Sequence, residues 1–82
     1  MAFPKTAYFS YRRGSRDRQG ITDEMIESVL QRPLYSESQQ DGRLRKWGWI
    51  VSEQRFLRVI VLEDGITVHN ALFDRSFKGT YR

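Results

Sequence analysis

Two periods of apolar residues divide the chain. Between Gly20 and Pro33, Met25, Ile26, Val29 and Leu30 recur at helical spacing and form a single stripe. Thr22 suits the N-cap of this helix, and Asp23 and Glu24 stand in its first turn, where the positive end of the helix dipole favours carboxylates. Ile21 and Ile26 occupy the two positions of a hydrophobic staple. Pro33 cannot continue the helix, which therefore ends at or before Arg32. From Leu34 the period falls to two. LYSESQQ, RLRKWGWIV, RFLRVIVLE and ITVHNALF read as strands, separated by turns at Asp41-Gly42, Ser52-Glu53-Gln54 and Asp64-Gly65. Four antiparallel strands in a meander are expected.

Upstream, TAYFSYRRGSRDRQG opens as a short strand-like piece and then turns densely basic. Ser10 is placed to cap a helix that runs to Gly20, although Gly14 in its interior costs about 1 kcal/mol relative to alanine. The expected class is α+β: an N-terminal strand and one or two helices packed on a four-stranded antiparallel meander. A chain of 82 residues buries only about 60% of its unfolded surface, or a little more, and has no room for a second core. Residues 1–82 are thus expected to form one domain, with 1–7 and 76–82 as tails.

Tight turns fix strand register, which lets residues on neighbouring strands be paired. Gln40 is set opposite Arg43 and Glu63 opposite Ile66. One face then collects Trp47, Trp49, Val51, Leu57, Val59, Val61, Val68 and Leu72, the expected core face beneath the helix stripe. Asn70 is its polar member and needs hydrogen-bond partners there. Two rows cross the opposite face: Tyr35, Gly48, Arg58 and Ala71, then Glu37, Lys46, Ile60 and His69. Ile50, Phe56, Leu62 and Phe73 share that side and call for a cover. Candidates are the carboxy-terminal DRSFKGTYR folding back through Phe77 and Tyr81, a second copy of the chain, or a partner protein.

Charge and composition narrow the chemistry. Fourteen Lys and Arg against ten Asp and Glu give a net charge of +4, a balance that favours an anionic partner. Without cysteine there is neither a disulfide nor a cysteine-based metal site, and the cytoplasm is the default compartment. No apolar run approaches the roughly 20 residues of a membrane span, and the amino terminus lacks a signal-peptide core. Gly-rich phosphate loops, nucleophile elbows and metal-ligand spacings are absent from the sequence, which carries a single histidine. No metal or cofactor is implied.

The chemistry that fits this inventory is metal-free cleavage of RNA. Arg58 and Lys46 would hold and stabilise the phosphate, and His69, with an ordinary pKa of about 6.5, would act as acid or base. Glu37 would be its counterpart, and Tyr35 would stack a base or donate a proton. Arg12, Arg13, Arg16, Arg75 and Lys78 would extend the phosphate-binding surface. Each also has a plainer reading: Glu37 and Lys46 as a cross-strand ion pair, Arg58 lying over Phe56 and Phe73, and Arg12 to Arg18 as a solvated helix face.

A basic amino-terminal segment followed by GITDEMIESVL, GRLRKWGWI and LRVIVLEDGITVHNALFDRSF resembles the superfamily of small bacterial toxins that includes RelE, ParE and BrnT. The similarity covers about residues 8 to 78 and is nearest to BrnT and its uncharacterised relatives. It implies a compact fold of helices on a meander, an antitoxin partner that occludes the active face, and ribonuclease activity as in the RelE and BrnT branches; ParE-like members instead target gyrase. BrnT-like chains place arginines along the last strand, where this one has His69, Asn70 and Leu72. Related domains carry a histidine in the first helix, where this one has Tyr11. The expected function is a metal-independent endoribonuclease of toxin type acting on RNA. The alternative is a non-catalytic module of the same fold that recognises nucleic acid or a protein partner, which would be an antitoxin-like chain or a second copy covering the apolar part of the sheet.

Overall fold

Two threonines start two helices. The Thr6 hydroxyl accepts the Phe9 N–H at 3.1 Å and opens α1, Ala7–Arg12; the Thr22 hydroxyl accepts the Met25 N–H at 3.2 Å and opens α2, Asp23–Gln31. The computed structural model describes residues 3–18 and 20–78. Helix α2 follows its sequence pattern: Ile21, Ile26 and Val29 are buried, Met25 and Leu30 pack beside them, and Arg32 is the C-cap before Pro33.

The first helix departs from expectation. It is capped by Thr6 rather than Ser10, so the strand-like opening is helical. It also stops at Arg12, where the Ser15 N–H and hydroxyl both turn back to the Arg12 carbonyl, at 2.9 and 2.6 Å. Gly14 disfavours continuation at this point, and beyond it the chain forms a single 3₁₀ turn, Arg16–Arg18, among the described residues. Arg13 binds the two helices together: it pairs with Asp23, donates to the Ile21 carbonyl at 3.3 Å and lies over the Phe9 ring at 5.3 Å.

The four expected strands form in the expected order: β1 Tyr35–Ser38, β2 Leu44–Ile50, β3 Arg55–Val61 and β4 Val68–Phe73 make an antiparallel β1-β2-β3-β4 sheet. Their alignment does not follow the expected register. Gln39 N–H bonds to the Arg43 carbonyl at 2.8 Å, enclosing a three-residue loop whose last member, Gly42, is left-handed at φ +92°. In the middle hairpin the Gln54 N–H reaches the Ile50 carbonyl at 2.8 Å with Gln54 itself left-handed at φ +54°, which makes a four-residue loop. Each loop is one residue longer than expected. At the last hairpin the expected alignment holds through Val61 and Val68. His69 is then an extra, unpaired residue, a β-bulge, and beyond it Ile60 faces Asn70.

The two slips cancel between β1 and β3 but turn β2 over. Tyr35 still shares a row with Arg58, now through Trp47 and on to Leu72; Glu37 shares one with Ile60, through Arg45 and on to Asn70. Leu57, Val59, Val61 and Val68 face the helices as expected, but Gly48, Ile50 and Ala71 are buried alongside them. Trp47, Trp49 and Leu72 point to the other side, and Val51 is an exposed loop residue. Burying each large side chain of this core contributes about 1.5–3 kcal/mol.

Both chain ends that were expected to trail as tails are tied down where they are described. Thr6 N–H donates to the Val68 carbonyl and Val68 N–H to that of Pro4, at 3.0 and 2.8 Å, so residues 3–6 cover the β4 edge and bury Phe3. Phe77 is buried against the outer sheet face, as one proposed cover required; Tyr81 lies outside the described residues. Among the described residues no helix is long and apolar enough to cross a membrane.

A Cβ at Gly48 would lie 2.8 Å from Val29 Cγ2, inside van der Waals contact with a stiff β-branched side chain. Gly48→Ala is therefore expected to cost about 1–3 kcal/mol in urea unfolding. Combined with Val29→Ala it should cost less than the sum of the two single changes, which a double-mutant cycle would measure.

Candidate functional site

The inverted β2 disperses the expected cluster. Lys46 lies on the helix side, between Ser36 and Val59, because β2 presents its even-numbered residues there. The partner of Glu37 is accordingly Arg45, at 3.3 Å, rather than Lys46. His69 leaves the row because it is the bulged residue. Its ring stacks on Tyr8 of α1 at 4.9 Å, and its Nδ1 lies 3.1 Å from the Thr6 hydroxyl. That oxygen already accepts the Phe9 N–H, so its hydrogen is available to Nδ1, an assignment that leaves the neutral ring protonated on Nε2. Tyr35, Glu37 and Arg58 do share the outer face.

The expected phosphate-binding set also divides. Arg13 is engaged with Asp23 and Ile21, and Arg12 closes α1, whereas Arg16, Arg75 and Lys78 are exposed. Arg18 is buried, and its Nε donates at 3.3 Å to Asn70 Oδ1, which also accepts the Ala71 N–H. Asn70, expected on the core face, stands instead in the row of Glu37 and Ile60, because of the bulge at His69, and finds its partners there.

On the outer face a chain of rings and charges takes shape. Trp47, only 3% exposed, stacks on Phe77 with centroids 4.8 Å apart and planes 9° from parallel. Phe77 meets Phe56 edge-on at 4.9 Å, and Tyr35 leans on Trp47 at 5.6 Å. The Trp47 indole N–H donates to Asp74 Oδ2 at 2.8 Å, and Arg58 Nη1 stands 3.8 Å from the same oxygen. Asp74 Oδ1 accepts from the Ser76 N–H and hydroxyl at 3.0 and 2.7 Å. Burial alone would raise the pKa of Asp74, but the bonds from Trp47 and Ser76 and the charge of Arg58 together hold it below the ordinary value. This carboxylate is ionised at neutral pH.

Beside this cluster a cleft of about 220 Å³ opens between Trp49, Arg55, Phe56, Arg75 and Phe77. Trp49 is 45% exposed and meets Phe56 edge-on at 4.8 Å. Arg55 lies over Phe73 at 3.8 Å and pairs with Glu53 at 2.9 Å. Gln54 and Asp74 complete its lining, so the cleft joins an accessible aromatic surface, which a base can stack on, to two arginines and one carboxylate. Neither tryptophan stood among the expected site residues, nor did Arg45, Asp74 or Phe77. A signal for the tryptophans was present in Trp47-Gly48-Trp49: a strand glycine marks close approach by another element, which sends both flanking rings to the opposite face.

Desolvation beside α1, aided by the charge of Arg43 and opposed by Asp41, lowers the pKa of His69 from its ordinary value. The unfolded chain then binds the proton more readily, so stability should be fully present above about pH 6.5 and fall as pH drops below it. Chemical denaturation of the wild type and His69→Gln between pH 8 and 5 should show a shallower loss in the variant; equal slopes would count against this account. Comparisons with protein-family models, with curated proteins and with solved structures find no match to this chain.

Proposed function

We propose that this protein binds single-stranded RNA through the outer face of its sheet, at the cleft between Trp49, Arg55 and Arg75. The half-exposed Trp49 ring carries the reading. An indole this accessible, in a cleft lined also by Arg55 and Arg75 on a chain of net charge +4, supports base stacking together with phosphate contact. This is the binding-module alternative from the sequence, here located at the edge of the outer face. Kinship to the RelE and BrnT toxins belongs to the same proposal, with which two helices on a four-stranded meander are compatible.

A second reading, metal-independent RNA cleavage of the toxin type, is favoured by one observation: Tyr35, Arg58 and the Glu37–Arg45 pair lie on one face. There the 2′-oxygen would attack phosphorus and the P–O5′ bond would break. Arg58 and Arg45 would stabilise the charged transition state, Glu37 would take the 2′-proton, and Tyr35 would protonate the departing oxygen. His69 and Lys46 have no place in it. In this reading an antitoxin-like chain or a second copy would cover the exposed Trp49 and Val51.

Stacking of one base contributes about 1–3 kcal/mol, so Trp49→Ala should weaken binding of a short oligouridylate about fivefold or more, read by fluorescence anisotropy. Arg75→Ala should lower the slope of log affinity against log salt by about 0.7. Binding unaffected by both changes would refute the assignment. For cleavage, RNA incubated with the protein in excess chelator should yield 2′,3′-cyclic ends that vanish with Arg58→Ala; uncut RNA would leave the binding reading alone.

A further inference from the structure

Arg58 is placed unusually for a structural arginine. Its side chain is 27% exposed, yet its Nε is buried and has no hydrogen-bond acceptor among the described residues. Its partner, Asp74 Oδ2, stands at 3.8 Å, near enough for charge attraction and too far for a hydrogen bond. A donor buried without an acceptor is costly, and a guanidinium with a free Nε–H matches the two-pronged geometry of a phosphate. Above it, the strap formed by residues 74–78 presents a carboxylate to Arg58 and to the Trp47 indole N–H, and lays the flat Phe77 ring on Trp47 at 4.8 Å and 9°. An anion on a guanidinium, joined through a short backbone to a ring stacked on an indole, is also the pattern of one nucleotide.

We infer that the strap is an internal stand-in for a nucleotide: Asp74 occupies the place of an RNA phosphate on Arg58, and Phe77 that of a base on Trp47. Single-stranded RNA bound at the neighbouring cleft competes with the strap for this second position. The inference rests on the RNA-binding reading and deepens it. Phe77 lines the cleft itself, so a strand of RNA seated on Trp49 runs directly toward the covered position. A phosphate there would supply the acceptor that Arg58 Nε lacks and would take over the Trp47 indole N–H.

Removing either half of the stand-in should tighten binding, because the competent state is populated in proportion as the strap is released. Anisotropy titrations with a fluorescein-labelled oligouridylate should show about threefold or greater tightening for Asp74→Asn and for Phe77→Leu relative to wild type. Glu63→Gln makes the same charge change on an exposed residue outside the strap and should have a smaller effect than Asp74→Asn. Adding RNA to the ¹⁵N-labelled wild type should move the Trp47 indole cross-peak as well as that of Trp49. Phe77→Leu retains apolar volume; if it still fails to fold, Asp74→Asn decides, since it keeps an acceptor for the indole. Unchanged or weaker binding by the folded strap variants, an equal gain from Glu63→Gln, or an unmoved Trp47 cross-peak would overturn the stand-in. Trp49→Ala separately tests the parent reading: weakening by this variant alongside unaffected strap variants would remove the inference and leave RNA binding intact.

Discussion

Helix α2 rests on β2 at Gly48, and that single approach decides which way the central strand faces. Val29 occupies the space that any larger side chain would fill. Because side chains alternate along a strand, placing residue 48 beneath the helix sends Trp47 and Trp49 to the far side. An indole carries 150–250 Å² of surface in a typical core, so turning two of them outward creates a large apolar demand on what would otherwise be a wet face. The chain meets half of it: Phe77 closes over Trp47, while Trp49 stays half exposed beside the cleft. Core and outer face therefore have one cause.

The same constraint marks where the fold was legible. Helix α2 could be read residue by residue, because cap, dipole, staple and proline all act within a few positions of one another. The number, order and antiparallel sense of the strands were legible too. Register was not, because it turned on the handedness of single loop residues. Asp41-Gly42 fits a two-residue turn, but a left-handed glycine equally closes a three-residue loop, and Gly42 does so. Gln54 is left-handed without being glycine or asparagine, which no local preference announces. The bulge at His69 depends on residues 3–6 and α1 seated against β4, contacts remote in sequence. At α1, Thr6 and Ser10 are both acceptable caps, and the burial of Phe9 in tertiary packing favours the earlier one.

For the candidate site, residue types proved more legible than positions. Tyr35, Glu37 and Arg58 share a face in the expected and in the observed register alike, because the two one-residue slips offset each other. His69 and Lys46 were lost from that face by the bulge and by the inversion of β2. Within the basic amino-terminal run, Arg13 joins the helices and Arg18 satisfies Asn70 at the sheet edge, while Arg16 stays exposed. The excess of cations over anions is a property of the whole chain. The sequence does not state which of them remain available, since that depends on which carboxylates and carbonyls the fold brings within reach.

The strap at 74–78 closes the outer face in a manner unlike the helix-side core. Beneath the helices the core is wholly apolar, and charge enters at its margin, where Arg13 pairs with Asp23. On the outer face the contact is part ring and part ion. Asp74 is held by two bonds from Ser76, one from Trp47 and the field of Arg58, against a desolvation cost that acts alone in the opposite direction. A seal made this way is specific without being permanent. The 3.8 Å gap to Arg58 leaves the ion pair short of hydrogen-bond contact, so the Trp47 and Ser76 bonds, rather than Arg58, fix the position of Asp74.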